Sequence, residues 1–253
     1  MKLLVDIGNT RVKWAWLHGD DLLDPGAMAH AAMQPGQLAE RMTGGRVADE
    51  VRLSSVAGAQ MTAALVSALG RVTGVPVREI RTGRVAAGVR NGYTEPRQLG
   101  VDRWLVMMAA YSRLRGAVCV VDAGTAWTVD VVAANGEHLG GFIVPGPVLM
   151  RRSLVGATGG IDTAARLLQD PPDLAMDWGR DTEACMRNGA LRAGVSLVES
   201  CARTFSRQVG PVPALVLTGG DAPELLKRLA VPAQYRPWLV LEGLALAEAA
   251  HAD

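Results

Sequence analysis

Apolar and polar positions alternate along the first part of the chain with the period of strands. Lys2 to Asp6 is a short apolar run that ends at Gly8-Asn9-Thr10, and it predicts a strand followed by a tight turn. Arg11 to Leu17 alternates and is rich in Val and Trp, so a second strand is expected to pair with the first. Val51 to Val56 and Pro76 to Ile80 are further predicted strands, while Leu38 to Met42 and Met61 to Leu69 carry helical spacing. Gln98 to Leu114 predicts one helix, with apolar positions at Val101, Leu105, Met108 and Ala109.

The pattern then restarts. Ala117 to Asp122 is an apolar, β-branched run ending at Gly124-Thr125, and Trp127 to Ala133 is an alternating strand closed by Asn135-Gly136. Gly140 to Val144 predicts a strand ended by Pro145-Gly146. Arg151 to Ala157 and Asp181 to Arg207 predict helices, Ala214 to Leu217 a buried strand, and Pro223 to Leu229 a helix. Leu239 to Leu241 is expected as a last strand and Gly243 to Ala250 as a last helix. Val5-Asp6-Ile7-Gly8-Asn9-Thr10 and Val121-Asp122-Ala123-Gly124-Thr125-Ala126 occupy the same strand-to-strand turn, which is an internal repeat. Two similar α/β halves are therefore expected, residues 1–115 and 116–253.

Composition narrows the chemistry. The 253 residues include 49% hydrophobic ones, enough for a substantial core, and the charges balance to a formal +1. That balance supplies no electrostatic reason to expect nucleic acid or an anionic membrane as partner. The apolar run Leu3-Leu4-Val5 is too short for a secretory signal, and no run reaches the length of a membrane span, so a cytoplasmic protein is expected. Cys119, Cys185 and Cys201 form no C-x-x-C pair and are expected as reduced, buried thiols.

The two turns carry the candidate chemistry. A carboxylate at a strand end followed by glycine lets a phosphate approach the backbone, and Asn9, Thr10 and Thr125 add donors for phosphate oxygens. The Asp can hold Mg²⁺, which bridges to phosphates. Asp, Gly and Asn also favour ordinary β-turns. It is the second copy that favours phosphate binding. Thr218-Gly219-Gly220-Asp221 would admit a flat ligand such as adenosine, and the chain has neither a P-loop nor a G-x-G-x-x-G motif. Asp102-Arg103 reads equally as a solvated pair in the first turn of a helix, and Thr182 as a helix cap. Asp130 is expected to face solvent or a lobe interface, and His18, His30, His138 and His251 fall in no motif.

Taken in order, these pieces resemble the actin-like ATPase and sugar kinase superfamily, and within it the type III pantothenate kinase family with its Bvg accessory factor-like members. The matching segments are 6–10, Gly100-Val101-Asp102-Arg103, 122–126, Gly140 to Gly146, Thr182 to Gly189, Thr218 to Asp221 and Leu239 to Leu244. The resemblance implies a duplicated ribonuclease H-like fold, with two lobes around a nucleotide cleft. It implies ATP-dependent phosphorylation of pantothenate to 4'-phosphopantothenate, the first step of coenzyme A biosynthesis. On it, Asp6, Ile7, Gly8, Asn9, Thr10, Arg11, Val12, Lys13 and Thr125 would contact ATP, with Asp6 near Mg²⁺. Tyr93, Gly100, Val101, Asp102, Arg103 and Thr182 would contact pantothenate, with Asp102 as general base. Asp122 would bind a monovalent cation, K⁺ or NH₄⁺, and the protein would be a homodimer. Trp127 stands where the family more usually has a smaller aliphatic residue.

Overall fold

Strand β1 (Lys2–Ile7) is buried on both faces, as a strand at the centre of a layered sheet must be. Leu3, Val5 and Ile7 pack with Val12 and Trp16 of β2 (Arg11–His18), with Leu38 and Met42 of α1 (Pro35–Thr43), and with Leu65 and Leu69 of α2 (Ala59–Thr73). Leu4, one residue out of phase, is equally buried on the other side. The computed structural model describes residues 1–157, 176–209 and 213–247.

Two compact units emerge. The first comprises residues 1–116, 132–140 and the segment from Trp238 onward; the second comprises 117–131 and 141–237. In the first, β3 (Asp21–Ala29), β4 (Glu50–Ser55) and β5 (Val77–Glu79) complete a sheet of order β3-β2-β1-β4-β5. β1 pairs antiparallel with β2 and parallel with β4. After the small hairpin β6 (Val85–Ala86) and β7 (Val89–Arg90) comes α3 (Val101–Leu114). The other sheet is built on β8 (Val118–Ala123), β9 (Ala126–Val132) and β10 (His138–Pro145), then α4 (Pro147–Ala157), α5 (Thr182–Val209), β11 (Ala214–Thr218), α6 (Ala222–Leu226) and β12 (Gln234–Tyr235). Its order is β10-β9-β8-β11-β12, with β11 parallel to both β8 and β12. The two orders are the same when read from each first strand, so the duplication expected from the repeat is present, as is the ribonuclease H-like order that the resemblance implies.

Several elements and residues depart from expectation. The long edge strand β3 was not anticipated, because Pro25-Gly26 inside it reads as a turn. An edge strand tolerates such a break. The pairing with β2 duly shifts register between Trp14 and Trp16. Leu239 to Leu241 is not a strand but the start of helix α7 (Leu239–Leu246). A short apolar run fits a buried helix as well as a buried strand, and α7, apolar apart from Glu242, packs against α3 and β1. The part of the expected last helix beyond residue 247 lies outside the described residues. Asp130 of β9 is 1% exposed and therefore does not face solvent. It sits near Cys119, whose thiol is pushed up to about 12 by burial, with Cys201 and Asp130 adding to the rise. Cys185, expected as buried, is exposed.

The C-terminal end of α7 is held by a side chain from the centre of the first sheet. Arg52 of β4 donates to the carbonyls of Ala245 and Ala247 at 2.9 and 2.8 Å. A guanidinium there satisfies terminal carbonyls and complements the helix dipole. Arg52 also pairs with Glu50 at 2.8 Å. That hydrogen bond, with help from Lys2 and against an opposing effect of burial, holds the Glu50 carboxyl down from 4.5 to about 2. A lowered folded-state value contributes stability above the unfolded value that is lost as pH falls. The stability difference between wild type and Glu50→Gln should thus be constant at neutral pH and shrink as pH falls from 4.5 toward 2. Denaturant titrations across that range check it; a difference independent of pH contradicts it.

Candidate active site

The first turn is closed by the Gly8 N–H donating to the Arg11 carbonyl at 2.9 Å. Asp6, 4% exposed, stands opposite Lys13 on β2 and beside Ser54 on β4. The Ser54 hydroxyl donates to Asp6 Oδ1 at 2.8 Å, which fixes the carboxylate at the strand end. Asn9, Thr10 and Arg11 are exposed at the tip, and Lys13 is half-buried. Ile7 and Val12 are core residues, so only their main chain can meet a ligand. His30 braces the tip: its Nε2 lies 2.7 Å from the Asn9 carbonyl, which only an N–H can satisfy.

The second turn is built from several directions. Gly146 N–H donates to the Thr125 carbonyl at 3.0 Å, and Asp221 N–H to the Ala123 carbonyl at 2.8 Å. Asp122 lies beside Thr218 in the parallel register of β8 and β11. Gly219 follows with φ +95°, and a Cβ there would stand 2.5 Å from Asp122 Oδ1 and collide with the Ala123 carbonyl. Only glycine meets both demands. Trp127 is buried, its indole N–H donates to Asp221 Oδ2 at 3.0 Å, and Gly194 of α5 faces its ring. The large residue is therefore a strut between the turn, the Gly219–Asp221 loop and α5.

The third constellation sits at the start of α3. Gly100 is its N-cap, and the Asp102 carboxylate curls back to accept the Arg103 N–H at 2.8 Å. A Cβ at Gly100 would lie 2.6 Å from Asp102 Oδ1. Val101 is buried, Asp102 half-exposed, and Arg103 only 4% exposed. Arg103 donates to the Tyr93 hydroxyl at 2.8 Å and lies 5.6 Å from its ring centre, within cation–π reach. Asn91 pins the loop before Tyr93, accepting the Tyr93 N–H at 3.0 Å and donating to the carbonyls of Gly83 and Pro96. Tyr93, Gly100, Asp102 and Arg103 are thus brought together in the first unit.

Thr182 lies in the second unit as the first residue of α5. The cap there is made by Asp181, whose Oδ1 accepts the Ala184 N–H at 2.8 Å. Thr182 is left to line a groove of about 680 Å³ with Met150, Leu154 and Met186. Among the described residues no three His, Cys, Asp or Glu side chains cluster to hold a metal.

The family profile described as type III pantothenate kinase matches residues 2–204. The chain belongs to the type III pantothenate kinase family. It is 39% identical over 249 residues to the type III pantothenate kinase of Aromatoleum aromaticum, covering 97% of both chains. It is 40% identical to that of Azoarcus sp., covering 100% of this chain and 92% of the relative. Among solved structures it resembles a Baf family transcriptional activator from Campylobacter jejuni, with TM-score 0.60, 20% identity and coverage of 96% and 95%. It also resembles the activator of 2-hydroxyisocaproyl-CoA dehydratase from Clostridium difficile, with TM-score 0.52, 10% identity and coverage of 97% and 92%. These two likenesses speak for the fold alone, the actin-like ATPase and sugar kinase fold.

The protein is accordingly an ATP-dependent kinase. Its full-length relatives extend past the end of the profile match, through Thr218 to Asp221. Ser54 and His30 were missed by reading the sequence. Neither is in a motif; each reaches its partner only through strand pairing or a loop approach.

The fit at Gly219 supports a direct test. Gly219→Ala should lower stability by more than about 1 kcal/mol, through its positive φ and the clash with Asp122. Gly220→Ala, where a Cβ meets nothing within 4 Å, should be close to neutral. Thermal unfolding of the two variants compares them; equal effects contradict the packing described.

Proposed function

We propose that this kinase transfers the γ-phosphoryl group of ATP to the primary hydroxyl of pantothenate, giving 4'-phosphopantothenate for coenzyme A biosynthesis. The observation that carries the reading is the joining of Asp102, Arg103 and Tyr93 at one helix N-terminus. Asp102 sits in the first turn of α3, where the helix dipole favours an ionised carboxylate. It is the general base. The acceptor oxygen bonds to the γ-phosphorus, the bond from phosphorus to the ADP oxygen breaks, and the hydroxyl proton passes late to Asp102. In such a loose transition state positioning and charge neutralisation dominate. Arg103, held by Tyr93, offers a planar fork to the carboxylate of pantothenate.

Residues 6–13 and Thr125 line the phosphates in this reading, with Thr182 and Gly100 to Arg103 on the acceptor side. Asp6 would hold Mg²⁺, an ion that takes one or two carboxylates and completes its shell with phosphates and water. A single strand-end carboxylate, already oriented by Ser54, fits that demand. Asp122 would hold K⁺ or NH₄⁺. Its Oδ1 and the Ala123 carbonyl oxygen lie close together beside Gly219, where a Cβ would stand 2.5 and 2.4 Å from them. The cations neutralise phosphate charge when bound.

We also read the enzyme as a cytoplasmic homodimer with lobes 1–115 and 116–253. No helix among the described residues is long and apolar enough to cross a membrane. Phe142 and Ile143 on the edge strand β10 are 59% and 62% exposed, a surface suited to a second copy.

Two measurements test this. Wild-type turnover should depend on pantothenate and on K⁺ or NH₄⁺ in place of Na⁺, and Asp102→Asn should lower kcat by about 10²–10⁴. A variant with kcat near wild type would remove Asp102 as base. Phe142→Asp should shift the sedimentation coefficient from dimer toward monomer; an unchanged value would place the interface elsewhere.

A further inference from the structure

Histidine 138 lies in no motif, yet it is 1% exposed at the start of β10 and stands against the acceptor constellation. Its ring stacks on Tyr93, with centroids 5.9 Å apart and planes inclined by 13°. That is offset-stacked geometry, the favourable kind for two π-systems. The approach is fixed at the backbone as well. Gly92, just before Tyr93, lies so close to the His138 carbonyl that a Cβ at position 92 would collide with it. The main chain of Arg90, at the other side of the same loop, pairs with that of Glu137 in an isolated parallel β-bridge, its N–H donating to the Gly136 carbonyl at 2.8 Å. The loop 90–93 is therefore laid along the 137–138 segment, with Asn91 closing it from the other direction.

The consequence runs through Tyr93. Its hydroxyl accepts from Arg103 and its ring carries the guanidinium, so the ring's position sets the direction of the Arg103 fork. Arg103 is almost fully buried and cannot re-aim freely in water. We propose that His138 is a positioning residue for acceptor recognition: it holds Tyr93, and through Tyr93 it aims Arg103 at the carboxylate of the acceptor. The inference rests on the pantothenate reading of this site. It assigns His138 no contact with substrate and no proton transfer.

Steady-state kinetics of His138→Ala, His138→Leu and His138→Phe, with each substrate varied in turn, test the role. His138→Ala should raise KM for pantothenate about two- to tenfold, the range a lost aromatic pair supplies. KM for ATP should stay at the wild-type value. His138→Phe, which keeps a stacked ring, should restore KM for pantothenate. His138→Leu fills the volume without a π-face and should behave as Ala does, which preserves the test if the Ala variant folds poorly. A role in packing alone would lower the melting temperature without separating the two KM values, and that result overturns the inference. So does a Leu variant as good as Phe. A wild type with no pantothenate-dependent turnover overturns the proposed function and this inference with it. An active wild type whose KM is unmoved in the variants overturns the inference alone.

Discussion

Close approach at glycine is the constraint on which the α3 terminus, the loop of Tyr93 and the second turn depend. Asp102 can fold back over the α3 terminus because Gly100 has no Cβ in its way, and the loop of Tyr93 can lie on the His138 backbone because of Gly92. Asp122 can share its space with the Ala123 carbonyl because Gly219 turns beside them with a positive φ. In each case a carboxylate or a ring is positioned by removing one carbon from its neighbour. A buried side chain fixed in this way needs little further reorganisation when substrate charge arrives, which is what electrostatic catalysis requires.

The two halves use one topology for different ends. The first turn is oriented by side chains, Ser54 on Asp6 and His30 on Asn9. The second is braced by main chain from Gly146 and Asp221 and by the Trp127 strut. Trp127 is accommodated by Gly194 and by a carboxylate for its N–H, so its size adds connections and displaces none of those described. Buried tryptophan needs such a partner, because an unsatisfied donor in the core is costly.

Much of this was legible in the sequence because it is local. Strand, turn and strand follow in order at positions 6 and 122, and the apolar runs that end there have the strand period, so the duplication could be read from two short segments. The helix of Gln98 to Leu114 was legible for the same reason, but its start at Val101 with Gly100 as cap, and the burial of Arg103, were not. What could not be read depends on distant partners. His138 is 45 positions from Tyr93 along the chain and meets it only because Gly92 admits the approach. Asp130 was read as facing solvent or a lobe interface because it stands in no motif; at 1% exposed it does not face solvent, and it points away from the Trp127 and Val129 face that packs on α5. The helix α7 was taken for a strand because three apolar residues carry no period, and its helical state is settled by α3 beneath it and Arg52 at its end. Strand β3 was hidden by Pro25-Gly26, which an edge can carry and a central strand cannot.

The central claim is that the acceptor is pantothenate. Incubating the purified protein with pantothenate and ATP radiolabelled in the γ-phosphate, and separating the products, tests it most directly. The account predicts label in 4'-phosphopantothenate in step with the ADP formed. Label found only in inorganic phosphate, or transferred to a sugar and not to pantothenate, would contradict it.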